Sequence, residues 1–164
     1  MIKDLLASLP QRGTVRWIGL RPARRVTPVS VEAVEALFGK GLVGDRFSGN
    51  RQSKRQVTLI QAEHLQIMSQ LLERGTIDPA LLRRNIVVSG INLVALNGAK
   101  FSIGEAIFEG TGPCDPCSRM EEALGTGGFN AMRGHGGITA RVIESGRIRV
   151  GDEVAMRAAS RGKL

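Results

Sequence analysis

The segment ITARVIESGRIRVGDEVAMR, residues 138–157, combines three short β-strand patterns with two tight turns. The predicted strands cover residues 138–144, 147–150 and 153–157. Ser145-Gly146 suits a hairpin turn after the first strand, and Gly151-Asp152 suits a turn after the second. Short strands joined by glycine-containing turns are typical of β-barrels and other closed sheets.

The rest of the chain repeats this alternation of short strands and turns, with few helices. Further strands are predicted at residues 14–20, 28–37, 56–60, 100–103 and 105–109, and one more within residues 83–90. Helices are predicted at residues 61–73, after Asp78-Pro79 and at residues 118–124, with a helical turn at residues 129–133. We therefore predict a mixed α+β fold that is rich in β-barrel structure and has a few peripheral helices.

Length and composition indicate one globular domain with an anionic partner. The 164 residues carry a net charge of +8, which favours nucleic acid, a membrane surface or a phosphorylated small molecule. Aromatic residues make up only 4% of the chain and tyrosine is absent, which argues against nucleic-acid binding through stacked bases. No apolar run reaches membrane-spanning length and the N-terminus has no signal-peptide pattern, so we expect a cytoplasmic protein with no membrane partner.

The domain organisation predicted from these patterns has three parts. Residues 1–19 form a lead-in and the first strand, residues 20–157 form the main domain, and residues 158–164 form a frayed tail.

Both cysteines of the chain lie in the segment GPCDPCSRM, residues 112–120. Prolines on either side oppose regular structure, so we expect both thiols to be displayed on a loop. Ser118 and Glu121 have the spacing of a helix capping box, which places Cys117 just before a helix N-terminus and beside Arg119. A thiolate in such a position attacks electrophiles or binds a soft metal.

Other roles for the cysteine pair remain open at this stage. Two cysteines do not complete a tetrahedral zinc site, a structural disulfide is rare inside cells, and a thioredoxin-like site would come earlier in a domain. Buried, inert thiols are the simplest alternative. We expect Cys117 to be the more reactive thiol and Cys114 to be a resolving thiol or a packing residue, since Asp115 opposes ionisation of its neighbour.

Several short motifs, taken in order, resemble the MOSC domain, the molybdenum-cofactor sulfurase C-terminal domain. The motifs are Gly41–Asp45, Gln56–Ile60, Arg83–Gly90, Phe101–Gly104, Pro116-Cys117 and Ile148–Asp152. The resemblance covers residues 20–157 and implies a MOSC-like, β-barrel-rich fold that binds the molybdenum cofactor, a phosphate-bearing pterin with a dithiolene-bound metal. It assigns Cys117 as the metal ligand and sets Arg83 and Asn85 near the cofactor. Cys114, in the same loop as Cys117, is a further candidate for cofactor contact.

The resemblance supports two functional hypotheses. One is a small molybdoenzyme that reduces N-hydroxylated compounds with electrons from a redox partner. The other is a cofactor or sulfur carrier that uses a Cys117 persulfide received from a sulfur-donor protein, without reductase activity of its own. We expect no pyridoxal phosphate, because the chain shows no counterpart of the sulfurase domain that binds it.

The remaining candidates lie in glycine-punctuated loops and before a strand. Asp45 and Arg46 are predicted to hold their loop by a mutual or backbone contact, with direct cofactor contact as the alternative. His135 is a candidate proton donor beside the cysteine loop, although a lone loop histidine is more often structural. Of two consecutive arginines only one can face a site; the motif selects Arg83 and leaves Arg84 on the surface. His64 is assigned no function.

Overall fold

The computed structural model describes residues 1–158, and the part of the predicted tail at residues 159–164 lies outside the described residues. The strands are β1 (Gly13–Leu20), β2 (Val29–Val31), β3 (Ala33–Leu37), β4 (Gly41–Leu42), β5 (Val57–Gln61), β6 (Ile86–Ser89), β7 (Lys100–Ile103), β8 (Ala106–Pro113), β9 (Ile138–Glu144), β10 (Gly146–Arg149) and β11 (Glu153–Met156). The helices are α1 (Ile2–Leu6), α2 (Ala62–Leu71), α3 (Ser118–Leu124) and α4 (Gly128–Met132), with 3₁₀ helices at Pro79–Leu82 and Leu93–Leu96.

Seven strands form a closed barrel in the order β11-β7-β8-β9-β5-β6-β1. The barrel closes where β1 pairs with β11, with Gly13 opposite Val154 and Thr14 opposite Glu153. Neighbouring strands run antiparallel except β5 and β6, which are parallel and are joined through α2 and the first 3₁₀ helix. This architecture confirms the predicted β-barrel-rich fold with a few peripheral helices.

Two smaller pieces extend the barrel. Strand β2 pairs with the end of β1 as an eighth strand, and β10, β3 and β4 form a separate three-stranded sheet. The predicted strand at residues 28–37 is therefore two strands in different sheets, broken at Glu32. The predicted hairpin after Ser145 also differs, because β10 leaves β9 and pairs with β3 instead.

Strand β5 has a hydrophobic layer on each side, and this fixes the position of the helices. All five of its residues are buried, since alternate side chains point into the barrel and towards the helices. Leu59 belongs to the barrel core, where Phe101 and Phe108 stack at 5.7 Å, whereas Ile60 packs with Met68, Met120 and Met132 beneath α2, α3 and α4. Each fully buried aliphatic side chain contributes about 1.5–3 kcal/mol.

The segment that carries the cysteines differs from its prediction. Strand β8 continues through Gly112 to Pro113, because these two residues still pair with β9. Helix α3 begins at Ser118, so Cys117 occupies the N-cap position and makes no side-chain capping bond. Glu121 does not form the predicted capping box and instead accepts hydrogen bonds from the N–H groups of Gly127 and Phe129.

Within residues 1–158, no helix combines the length and the apolar character that crossing a membrane requires.

Candidate functional site

A cavity of about 370 Å³ opens on the outside of the barrel. Its wall comes from four places in the chain: the end of β1, the loop between β4 and β5, the residues before β6, and the first turn of α3. The lining residues are Arg21, Arg46, Phe47, Ser48, Arg55, Leu82, Arg83, Arg84, Cys117, Arg119 and Met120. Six of these eleven residues are arginines and none is acidic, so the cavity is suited to an anion.

The two cysteines occupy different environments. The Cys117 side chain is exposed and lines the cavity, whereas Cys114 is only 1% exposed. Cys114 donates its backbone N–H to the carbonyl of Gly137 at 2.9 Å, which fixes the cysteine loop against the start of β9. The expectation that both thiols are displayed is therefore wrong for Cys114, because β8 carries it under the segment of residues 134–137, called the glycine segment.

Arg84 is buried, with 4% of its surface exposed, so its predicted place on the surface is wrong. Its guanidinium donates to three backbone carbonyls, those of Gly136 at 2.9 Å, Leu82 at 3.0 Å and Cys114 at 3.1 Å. Burial lowers the pKa of Arg84, since the charged form loses hydration. The residue thus ties the cysteine loop, the glycine segment and the 3₁₀ helix together at the cavity.

Arg83 lines the cavity from a left-handed backbone conformation, with φ of 56°. Its guanidinium donates to the carbonyls of Val26 at 2.7 Å and Ala23 at 3.3 Å. Partial burial is the main reason that the pKa of Arg83 lies below its ordinary value, and the positive charges of three other cavity arginines add to this. The cavity therefore concentrates positive charge that an anion would neutralise.

Asp45 pairs with Arg21 and not with Arg46. The Arg21 guanidinium donates to both carboxylate oxygens of Asp45, at 3.1 and 2.8 Å, and the Arg21 backbone N–H donates to Oδ1 at 2.8 Å. Burial alone would raise the pKa of Asp45, but these hydrogen bonds and the Arg21 charge outweigh it and hold the pKa below its ordinary value. The Arg46 backbone N–H donates to the Arg21 carbonyl, so the loop is held by backbone contacts and by this pair.

Asn85 lies one layer beneath the cavity and is fully buried. Its amide Nδ2 donates to Asp45 at 3.0 Å and to the carbonyl of Gly19 at 3.0 Å, while its Oδ1 accepts from the backbone N–H of Thr58 at 3.1 Å. These contacts join β1, β5 and the Asp45 loop. Asn85 and Asp45, both candidate cofactor ligands from sequence, therefore support the wall and do not line it.

Three cavity arginines have a guanidinium group with no hydrogen bond or ion pair to the part of the chain that the structure describes: Arg46, Arg55 and Arg119. We call these the rim arginines. Arg46 was a candidate from sequence, Arg119 was noted only as a residue beside Cys117, and Arg55 was not singled out. Phe47 was missed altogether. No spacing rule connects these positions, because they lie in the β4–β5 loop and in α3.

His135 does not line the cavity. It is half-buried, its Nδ1 lies 3.0 Å from the carbonyl of Ala131, and its ring meets His64 edge-on at a centroid distance of 5.1 Å. Burial, and next the charge of His135, lowers the pKa of His64. The structure therefore places His135 in contact with His64, for which the sequence indicated no function.

The glycine segment behind the cysteine loop allows close backbone packing. A Cβ atom on Gly136 would lie 2.2 Å from the carbonyl oxygen of Cys114, and one on Gly137, whose φ is +89°, would lie 1.8 Å from the carbonyl oxygen of Leu59. Only glycine fits at either position. The segment thus sets the position of the loop that carries Cys117.

A family model for the MOSC domain matches residues 35–155, which is most of the chain. The chain belongs to the MOSC domain family. Solved structures with the same fold include the YuaD protein of Bacillus subtilis, at 18% identity over 93% of this chain and all of that one, with a TM-score of 0.78.

The YiiM proteins of two other bacteria also share the fold. The protein of Geobacillus stearothermophilus is 17% identical over 93% of this chain and 78% of its own, with a TM-score of 0.72. The protein of Escherichia coli is 18% identical over 89% and 70% of the two chains, with a TM-score of 0.68. No curated protein matches the chain. These neighbours show the fold, and the MOSC family is associated with binding of the molybdenum cofactor.

The residues of the cavity fit the chemistry of that cofactor. Guanidinium groups bind phosphate through paired N–H donors, and a thiolate is a favoured ligand of a soft metal centre. Residues 1–158 contain no cluster of three or more His, Cys, Asp or Glu side chains that could hold a metal ion without such a cofactor. Cys117 is the one thiol among the eleven cavity residues.

Proposed function

We propose that this protein binds the molybdenum cofactor in the arginine-lined cavity and reduces N-hydroxylated compounds there. The observation that carries the proposal is the exposure of Cys117 in a cavity with six arginines and no carboxylate in its wall. Cys117 would ligate the metal as a thiolate. The arginines that protein acceptors hold in place, Arg21, Arg83 and Arg84, are called the anchored arginines, and they, Arg83 first among them, would bind the pterin phosphate.

The reaction consumes two electrons and two protons. An N-hydroxylated compound R–NH–OH becomes R–NH₂ and water as the N–O bond breaks, and the electrons come from a flavin- or iron–sulfur-containing donor protein. The cofactor, when bound, supplies oxygen-atom transfer and two-electron chemistry. The chain itself contributes an anion-binding wall and the Cys117 thiolate. Arg84 and the glycine segment fix the position of the loop that carries Cys117.

The histidine pair is a candidate source of protons outside the cavity wall. His135 hydrogen-bonds the α4 carbonyl of Ala131 and contacts His64, so it would act through the intervening loop and not on the substrate directly. We include His135 as a positioning or proton-delivering residue of this proposal.

The proposal is tested with protein produced in cells that make the cofactor. Such protein, supplied with a chemical reductant, is expected to convert benzamidoxime to benzamidine, and Cys117→Ser protein is expected to lose this turnover. Cys114→Ser is the matched control and should retain most of it, because Cys114 is buried away from the cavity. Cofactor-loaded wild-type protein that converts no N-hydroxylated compound would contradict the reductase proposal.

A sulfur carrier remains the second candidate, since an exposed thiol can also accept sulfur. The Cys117 thiolate would attack the terminal sulfur of a donor protein's persulfide, form a Cys117 persulfide and release the donor thiolate. Burial of Cys114 weighs against the resolving role predicted for it. Binding of cofactor together with transferable sulfur, and no turnover of benzamidoxime, would favour the carrier.

A further inference from the structure

The six cavity arginines fall into two groups, which differ in whether the guanidinium group has a hydrogen-bond acceptor in the protein. Three are held in place by protein acceptors: Arg21 by the carboxylate of Asp45, and Arg83 and Arg84 by backbone carbonyls. The guanidinium groups of the rim arginines, in contrast, have no protein acceptor within residues 1–158. A guanidinium that lines a cavity without an acceptor is available to a ligand.

The charge of the cavity exceeds what the cofactor would neutralise. Asp45 is the one carboxylate among residues 1–158 that forms an ion pair with any of the six arginines. A phosphate monoester carries up to about two negative charges and a Cys117 thiolate adds one. About two positive charges therefore remain without a counter-charge once the cofactor is bound.

The wall beside the rim arginines is partly apolar. Phe47 is adjacent to Arg46 in the chain, and Leu82 and Met120 line the same cavity. An aromatic or aliphatic body would bury its surface against these side chains, while its acidic group would meet the guanidinium groups.

We infer that the substrate of this site is itself an anion: an N-hydroxylated compound that carries a carboxylate or a phosphate, bound by Arg46, Arg55 and Arg119. The inference rests on the proposed function. It assigns the anchored arginines to the cofactor and the rim arginines to substrate selection. Charge-assisted hydrogen bonds to an oxyanion are worth roughly a tenfold change in affinity each.

The test compares benzamidoxime with its para-carboxylate, which keeps the reacting group and adds one negative charge, on cofactor-loaded protein with a chemical reductant. Wild-type protein is expected to show at least a tenfold higher kcat/KM for the carboxylate. A variant with Arg46→Gln, Arg55→Gln and Arg119→Gln should lose this preference through a higher KM for the carboxylate, so that its kcat/KM values for the two compounds become similar. Arg12→Gln, which removes an exposed arginine outside the cavity, is the control.

A second measurement does not depend on turnover. Calorimetric binding of para-carboxybenzamidine, the expected product, to loaded protein should weaken at least tenfold in the triple variant and stay unchanged in Arg12→Gln. Molybdenum and pterin content should be equal in all three proteins. If neither compound is converted, the reductase proposal fails, and this binding measurement still decides whether the rim arginines select anions.

Three outcomes would overturn the inference. Equal kcat/KM values for the two compounds in wild-type protein would show that the rim arginines do not favour a negatively charged substrate. Loss of pterin from the triple variant, or a second phosphate on the released pterin, would assign the rim arginines to the cofactor. A defect that appears only with a protein reductant would make the rim a docking surface for an acidic electron donor.

Discussion

Among the single residues around the cavity, Arg84 is the cation that the protein encloses most completely. Its three carbonyl acceptors come from segments 52, 30 and 2 residues away in the chain. Each bond to a charged donor contributes roughly 1.5–3 kcal/mol, against the cost of burying the charge. We expect Arg84→Gln to lower the free energy of unfolding by about 3 kcal/mol in urea denaturation.

Arg83→Gln is the control for this prediction because Arg83 is half-buried and its two acceptors lie in an exposed loop. We expect it to lower the free energy of unfolding by about 1 kcal/mol or less while reducing cofactor content. Equal destabilisation by the two substitutions would mean that Arg84 does not tie the three segments together.

Asp45 gives the cavity wall a dependence on pH. Burial opposes its ionisation, but the Arg21 contacts outweigh burial and keep the folded-state pKa below the ordinary value of 3.8. The ionised carboxylate therefore stabilises the fold above about pH 4, and this contribution is lost as the pH falls through the lower, folded-state pKa.

Asp45→Asn removes the charge and should cost about 1–3 kcal/mol of unfolding free energy at pH 7. The difference from wild-type protein should shrink as the pH falls from about 4 through the lower, folded-state pKa of Asp45, because wild-type Asp45 then also becomes neutral. Chemical denaturation at a series of pH values measures this difference. A difference that stays constant from pH 7 to pH 3 would be inconsistent with an ionised Asp45–Arg21 pair.

Sequence patterns predict some of these residues and miss others for a physical reason. Alternation predicts that only one of Arg83 and Arg84 faces a site, and this is wrong, because both residues precede β6, Arg83 has a left-handed backbone, and both side chains line the cavity. The position of Arg84 depends on the carbonyls of Gly136 and Cys114, which are distant in the chain. Arg55 and Arg119 likewise reach one cavity from separate elements. Contacts of this kind arise from tertiary packing, which local spacing does not encode.

At the scale of elements, the glycine segment and the cysteine loop form one packed unit. The Gly136 backbone lies so close to the Cys114 carbonyl that an added methyl group would displace backbone and not merely a side chain. We expect Gly136→Ala to lower the free energy of unfolding by about 1–3 kcal/mol, the usual cost of overpacking, and to reduce cofactor content. Thermal unfolding and molybdenum analysis measure the two effects.

Gly75→Ala is the matched control, because no atom lies within 4 Å of its added Cβ and its backbone is not in the left-handed region. It should change neither stability nor cofactor content appreciably. Wild-type behaviour of Gly136→Ala would show that the cysteine loop has room to move.

The elements predicted best from sequence are those fixed by local turns, such as β11 after Gly151-Asp152. The end of β8 was predicted less well, since Gly112 and Pro113 oppose strand structure locally. Their pairing with Thr139 and Ile138 of β9 extends the strand regardless. The pairing of β8 with β9, which is distant in the chain, therefore sets the residue at which the cysteine loop begins.

At the scale of the whole molecule, barrel closure brings chemistry from distant segments to one face. Strands β1 and β11 pair with each other although they lie near opposite ends of the described chain, with Gly13 opposite Val154. The sequence predicts a closed sheet but does not indicate which strands close it. The net charge of +8 predicts an anionic partner, and the structure gathers six arginines in one cavity. The cavity and Cys117 together make cofactor binding the central claim.

Molybdenum and pterin analysis of protein purified from cofactor-producing cells tests that claim most directly. The wild-type protein is expected to contain molybdenum and pterin in near-equal amounts. Cys117→Ser should lose the metal, Arg83→Gln should hold less pterin, and Cys114→Ser should match the wild type. Wild-type protein free of both molybdenum and pterin, or full molybdenum content in Cys117→Ser, would contradict the assignment of this cavity.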